Sequence, residues 1–202
     1  MNVAILAGGM GKRFGGAEKS QIVICGKKII DMLMERFSSF NTIIVCRDES
    51  QKVIFEGYRC IFDEFKNSGP LGGIHAALRH FNDFVAVIAT DMPFVKVEVV
   101  EELYRTAVKH DVAALIPCWK NGKLEPLLSV YSPKIVSLIE KSLEMEEKKI
   151  LTPVFKSEDV VLFDVECLRK FDKKLVSFFN INTPEDLERA EEICLSTGMI
   201  EK

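Results

Sequence analysis

Short apolar runs recur along the first 120 residues, and apolar positions between them fall at helical spacing. Val3–Leu6, Thr42–Cys46, Arg59–Phe62, Phe84–Ala89 and Val112–Pro117 are compact and rich in Val, Ile and Phe. A run such as Phe84-Val85-Ala86-Val87-Ile88-Ala89 leaves no alternating polar face, which suits a strand covered on both sides. Between the runs, Ile29, Ile30, Leu33, Met34 and Phe37 form one helical stripe, and Val99, Val100, Leu103, Ala107 and Val108 form another. Gly72–Phe81 reads as a third helix. This alternation predicts a doubly wound α/β fold with a mainly parallel sheet and helices on both faces.

The pattern changes after Pro117. Asn121-Gly122, between Cys118-Trp119 and Leu124–Tyr131, is a hairpin signal. A helix is expected over Pro133–Leu143, then a charged stretch over Glu144–Lys149, then a strand over Val160–Val165. Thr183-Pro184-Glu185-Asp186 opens a last helix, with Thr183 as N-cap, proline in the first turn and two acids at the positive helix end. Leu187, Ala190 and Cys194 then share one face. No internal repeat or linker divides the chain, so residues 1–202 are expected to form one domain.

Charge changes the picture more by its distribution than by its total. The net charge of −3 argues against general nucleic-acid binding. Yet residues 1–30 carry Lys12, Arg13, Lys19, Lys27 and Lys28 against Glu18 alone, a local +4 on an otherwise acidic body. Such a basic island suits an anionic ligand. No apolar run is long enough to span a bilayer and the N-terminus lacks a signal-peptide pattern, so a cytoplasmic protein with no membrane partner is expected. The six cysteines, at 25, 46, 60, 118, 167 and 194, form no CxxC pair and read as buried free thiols rather than as a zinc site or a disulfide frame.

Candidate chemistry gathers at the ends of the strands, where open parallel sheets bind ligands. The first run delivers LAGGMGKRFGGAEKS, Leu6 to Ser20, with five glycines and three basic residues. Glycines allow sharp turns and close approach to a ligand, and exposed N–H groups can cradle an anion. Arg13 can fork onto phosphate oxygens, and Lys19 offers a mobile point charge. Two common phosphate motifs fail here: GxGxxG meets Phe14 at its third glycine, and GxxxxGK[ST] lacks both its first glycine and its hydroxyl. The fourth run ends Thr90-Asp91-Met92-Pro93, whose acid can hold Mg²⁺ against a nucleotide's phosphates or can serve only as a turn residue. The third ends Phe62-Asp63, followed by Asn67-Ser68-Gly69-Pro70-Leu71-Gly72-Gly73, and Asp63 carries the same two readings. Together these pieces fit a nucleoside triphosphate with one metal ion.

These residues resemble the LAGGxSxRMGxxK signature of small nucleotidyltransferases, and most of all the molybdenum cofactor guanylyltransferases of MobA type. Gly26-Lys27-Lys28-Ile29-Ile30, Gly69-Pro70-Leu71-Gly72-Gly73-Ile74, Thr90-Asp91-Met92-Pro93, Glu125-Pro126-Leu127 and Asn180-Ile181-Asn182-Thr183-Pro184-Glu185-Asp186-Leu187 follow in family order. The resemblance implies a Rossmann-like fold and transfer of GMP from GTP to the terminal phosphate of molybdopterin, with release of pyrophosphate. It implies that Leu6, Ala7 and Gly8 meet the base, largely through backbone, and that Gly9, Gly11 and Arg13 line the phosphate path. It gives Lys19 the role of stabilising charge on GTP, Asp63 a nucleotide contact, Asp91 both Mg²⁺ and GTP, and Asn180 and Asn182 the neighbourhood of the acceptor. Arg13, Lys19 and Asp91 would carry the catalysis. It also implies transient contacts with proteins of molybdopterin synthesis or molybdoenzyme maturation. The chain departs from the pattern at Met10-Gly11, at Phe14, and at Cys46-Arg47, where relatives carry asparagine.

Other readings keep the same loops. CTP could replace GTP, or a cobinamide phosphate could replace molybdopterin as acceptor. A nonenzymatic nucleotide-binding module would need neither Lys19 nor Asp91 for turnover. A dinucleotide-dependent oxidoreductase is disfavoured by the failed third glycine.

Overall fold

The computed structural model describes residues 1–7, 18–65 and 67–197. Its centre is a seven-stranded sheet. In chain order the strands are β1 (Asn2–Leu6), β4 (Asn41–Cys46), β5 (Cys60–Phe62), β6 (Val85–Ala89), β7 (Ala114–Cys118), β8 (Leu128–Tyr131) and β9 (Val160–Asp164). Across the sheet they run β5-β4-β1-β6-β8-β7-β9. β1 is parallel to both β4 and β6, β4 to β5, and β7 to β9, whereas β8 is antiparallel to its neighbours β6 and β7. Six strands therefore point one way and β8 alone is reversed. A short antiparallel ribbon, β2 (Val23–Ile24) with β3 (Lys27–Lys28), stands apart from the sheet.

Strand alternation feeds two cores. Val3, Ile5 and Ala7 of β1 and its end join Ile44 and Cys46 of β4 on one face. Ala4, Leu6, Ile43 and Val45 join the other. The first face is covered by α1 (Ile29–Arg36) and α4 (Val97–His110), through Ile29, Ile30, Leu33, Val99, Val100 and Leu103. The second is covered by α3 (Pro70–Phe81) and α5 (Val136–Glu144), through Leu71, Ile74, Leu78 and Ile139. A strand buried on both faces has no polar side, and this is why these runs read as continuously apolar.

Among the described residues the remaining α-helices are α2 (Glu49–Lys52), α6 (Leu151–Phe155) and α7 (Pro184–Thr197). α7 begins as the sequence leads one to expect. The Asp186 N–H donates to Thr183 Oγ1 at 3.2 Å, and Asp186 Oδ2 accepts from the Thr183 N–H at 2.9 Å. This reciprocal cap satisfies two otherwise orphaned donors. Ala190 and Cys194 are fully buried along its inner face.

The hairpin expected after Pro117 forms, with β7 and β8 antiparallel neighbours, and two other expectations change. The helix expected over Pro133–Leu143 begins as a 3-10 turn, Pro133–Ile135, before α5. The hairpin signal closes a tight turn, with Trp119 N–H donating to the Lys123 carbonyl at 2.8 Å and a Cys118–Leu124 bridge, and the chain enters β8 only at Leu128. The expectation of six free thiols is wrong: Cys25, in the β2–β3 turn, is disulfide-bonded to Cys194 of α7 across a separation of 169 residues, while Cys167 is exposed and Cys60 and Cys118 are half-buried. Sequence spacing could not reveal that pair, because folding alone brings the turn to the helix. Among the described residues no helix is long and apolar enough to cross a membrane.

Candidate active site

The carboxyl ends of β5, β4, β1 and β6 form one edge. Cys46 lies level with Phe62, and Leu6 lies level with both Val45 and Ala89. Asp63, Arg47 and Asp91 therefore each stand one position beyond a common row. β5 and β6 are separated by three strand spacings, about 14 Å, so Asp63 and Asp91 cannot share one metal ion. The distance instead suits the two ends of an extended nucleotide.

At the Asp63 end the sheet and α3 enclose a cavity of about 160 Å³ lined by Leu6, Val45, Arg47, Asp63, Ser68 and Gly73, among others. Asp63 Oδ1 accepts the Phe65 N–H at 2.9 Å, and Oδ2 accepts the Ser68 hydroxyl. Burial pushes its carboxyl above the usual range, against the lowering effect of those two hydrogen bonds. α3 starts beside it: Gly69 takes φ +64°, in the left-handed region, and Pro70 follows at the first helical position. Gly72 has no space for a side chain, because a Cβ there would run into Ser68 Oγ and both Asp63 oxygens. The glycines thus allow the positive end of α3 to lie directly against the carboxylate.

At the other end, Asp91 follows β6 in a tight turn, with Met92 N–H donating to the Ala89 carbonyl at 3.2 Å. The turn is held from two sides. Arg36 of α1 donates to the carbonyls of Pro93 at 2.6 Å and Val95 at 3.0 Å, and burial lowers the pKa of this guanidinium. The Ile181 N–H donates to the Asp91 carbonyl at 2.8 Å, which brings Asn180 and Asn182 beside Asp91 along the chain. Asn180 Nδ2 donates to the Phe178 carbonyl at 2.9 Å, and Phe178 meets the edge of Trp119 at 5.4 Å between ring centres. Trp119 is fixed in turn by Glu125 of the Glu125-Pro126-Leu127 motif, whose Oε1 accepts the indole N–H at 2.8 Å and pairs with Lys123 at 2.7 Å.

Between these ends lie Leu6 and Ala7. The Leu6 side chain lines the cavity, and its carbonyl accepts the Thr90 N–H at 3.3 Å. Ala7 is buried, with its N–H donated to the Val45 carbonyl at 3.0 Å and its carbonyl accepting Gln51 Nε2 at 2.6 Å. Gly8, Gly9, Gly11 and Arg13 lie outside the described residues, as does the side chain of Lys19, whose backbone opens a 3-10 turn, Lys19–Gln21.

Sequence reasoning passed over Gln51. It is 1 % exposed and sits in α2, three residues after Asp48, whose carboxylate caps that helix by accepting the Gln51 N–H at 3.0 Å. The D-x-x-Q spacing was a visible sign of a capped turn. That the amide reaches Ala7 and Glu18, and accepts from Arg47, was not visible, because those contacts depend on strand order.

The arrangement has many relatives. A crystal structure titled as molybdopterin-guanine dinucleotide biosynthesis protein A from Archaeoglobus fulgidus superposes with a TM-score of 0.91 at 47 % identity, covering 97 % of this chain and 100 % of that one. A protein of Methanosarcina mazei named "Probable molybdenum cofactor guanylyltransferase" is 41 % identical over 198 residues, covering 91 % of this chain and 87 % of its own length. One of the same name from Clostridium perfringens is 32 % identical over 95 % of this chain and 98 % of its own. The 4-diphosphocytidyl-2C-methyl-D-erythritol synthase of Anaerococcus prevotii, at 16 % identity and a TM-score of 0.67, shares the fold. The model of the MobA-like NTP transferase domain matches residues 3–160, and the chain belongs to that family of nucleotidyltransferases.

Proposed function

We propose that this enzyme transfers GMP from GTP to the terminal phosphate of molybdopterin, releasing pyrophosphate and forming the guanine dinucleotide. The observation that carries the reading is the shared edge at which four parallel strands deliver Asp63, Arg47, Ala7 and Asp91, with the basic glycine segment following Ala7 directly in sequence. The near full-length likeness to proteins named as molybdenum cofactor guanylyltransferases supports the donor and the acceptor.

The base end of GTP occupies the cavity at Leu6, Asp63 and the start of α3. The triphosphate runs toward Asp91, along Gly8, Gly9 and Gly11, with Arg13 and Lys19 offsetting its charge. A phosphate oxygen of the acceptor attacks the α-phosphorus in line. The new O–P bond forms as the bond to the β-phosphate oxygen breaks, and pyrophosphate leaves with the electron pair. The acceptor oxygen is already ionised near neutral pH, so no base is needed. Two anions must meet, and fixed positive charge and positioning do most of the work.

Asp91 suits Mg²⁺. It is a partly exposed carboxylate on a turn fixed by Arg36 and Ile181, and Mg²⁺ takes one or two carboxylates with substrate phosphates and water. Among the described residues no three His, Cys, Asp or Glu side chains gather into a closed cage. When bound, the ion supplies Lewis-acid stabilisation of the phosphoryl oxygens. Asn180 and Asn182 face the acceptor.

A substrate panel tests the reading. Pyrophosphate release is expected with GTP and molybdopterin together, and little with CTP or with a cobinamide phosphate. Turnover confined to CTP, or to the cobinamide acceptor, would replace it with one of those activities.

A further inference from the structure

The amide of Gln51 joins three parts of the chain that are far apart in sequence. Nε2 donates to the Ala7 carbonyl at 2.6 Å and to Glu18 Oε2 at 3.0 Å, while Oε1 accepts the Arg47 N–H at 2.7 Å. A carbonyl and a carboxylate only accept and a backbone N–H only donates, so the amide has one orientation that fits. The other Glu18 oxygen is held by Arg47 Nη2 at 3.2 Å. Ala7 directly follows β1, and Glu18 stands immediately before Lys19. Arg47 lines the cavity at the tip of β4.

A buried leucine would fill this space without an amide to desolvate. The amide does what leucine cannot: it fixes the end of β1, the tip of β4 and the approach to Lys19 relative to one another. We propose that Gln51 is a positioning residue for the donor nucleotide, acting through Ala7, Glu18 and Arg47 and touching no reacting atom. This rests on the reading of that edge as the GTP site.

The test uses the full chain, with Mg·GTP as the probe. Gln51→Leu removes all three hydrogen bonds at similar volume. It is expected to raise KM and Kd for GTP about tenfold, with kcat at saturating GTP within about twofold of wild type and the acceptor KM unchanged, the pattern of lost uniform binding. Gln51→Glu sets a carboxylate against Glu18 and is expected to weaken GTP binding at least as much. Adding Glu18→Gln restores a donor across the same gap and should recover part of the loss, which a space-filling role would not produce. Should Gln51→Leu fail to fold, that pair decides the matter: no recovery overturns the inference. Wild-type GTP binding in folded Gln51→Leu, alongside its loss in Arg13→Ala, would overturn the positioning role and leave the donor site standing. Unchanged binding in both variants would remove the donor site, and the inference with it.

Discussion

The backbone N–H of Ile181 donates to the backbone carbonyl of Asp91 at 2.8 Å, across 90 residues of sequence. One bond thus couples the turn whose carboxylate is proposed to hold the metal to the stretch that carries Asn180 and Asn182. Because it uses only main-chain atoms, the Asp91 side chain can change without breaking it. This link between the two segments does not depend on the Asp91 side chain.

Asp91→Asn is therefore expected to keep the fold and lose turnover. The Ile181 bond and the Arg36 bonds to Pro93 and Val95 survive, while the anionic oxygen for Mg²⁺ is gone. A loss of about a hundredfold or more in kcat is expected, with the melting temperature within a few degrees of wild type. Steady-state kinetics over a Mg²⁺ titration checks this. A wild-type kcat would remove Asp91 from catalysis.

Gly72→Ala tests the close approach of α3 to Asp63. The added methyl meets Ser68 Oγ and both Asp63 oxygens, so either the helix or the carboxylate must move. The expected cost is about 1–3 kcal/mol of stability, together with a raised KM for GTP. Denaturant unfolding and initial rates would register both. A variant as stable and as tight for GTP as wild type would mean that the start of α3 yields freely.

Asp63 sets a pH dependence of stability. Burial raises its carboxyl pKa above the ordinary value of 3.8. A raised acid binds its proton more tightly when folded, so its contribution is present in full below about 3.8 and is lost as pH climbs through the raised value. Asp63→Asn keeps an oxygen to accept the Phe65 N–H, its NH₂ can donate to the Ser68 hydroxyl oxygen, and it has no charge to desolvate. Unfolding midpoints compared upward from about pH 3.8 should show wild type losing stability relative to the variant. GTP affinity should fall in the variant at neutral pH. Parallel stability curves would contradict the burial argument.

The Cys25–Cys194 bond fixes α7 to the β2–β3 turn. Closing so long a loop is expected to contribute about 2–5 kcal/mol under oxidising conditions. Cys25→Ser should cost that amount without reductant and little in its presence. Alkylation of the native oxidised protein, read by mass spectrometry, should label exposed Cys167 first and spare Cys46, whose buried thiol is pushed up to about 12. Early labelling of Cys25 would show that the bond is not formed.

Much of this architecture was legible in the chain because its strongest signals are local. The runs at Val3–Leu6, Thr42–Cys46 and Phe84–Ala89 became parallel strands within a residue or so at each end. Thr183 capped α7 because capping geometry is set within one turn. Strand order and long-range closure were not legible. The insertion of β8 beside β6, the Cys25–Cys194 pair, the reach of Gln51 to Ala7 and the bond from Ile181 to Asp91 all depend on which elements fold against which. Likewise, the family signature pointed to Asp63 and Asp91, but their placement three strands apart came only with the sheet.

The most direct test follows the label of GTP through a single turnover with Mg²⁺ and molybdopterin. With [α-³²P]GTP, the label is expected in the guanine dinucleotide product. With [γ-³²P]GTP, it is expected in pyrophosphate, and neither is expected to form when the acceptor is omitted. Label from γ-GTP appearing as inorganic phosphate, with GDP left behind and nothing attached to molybdopterin, would contradict guanylyl transfer.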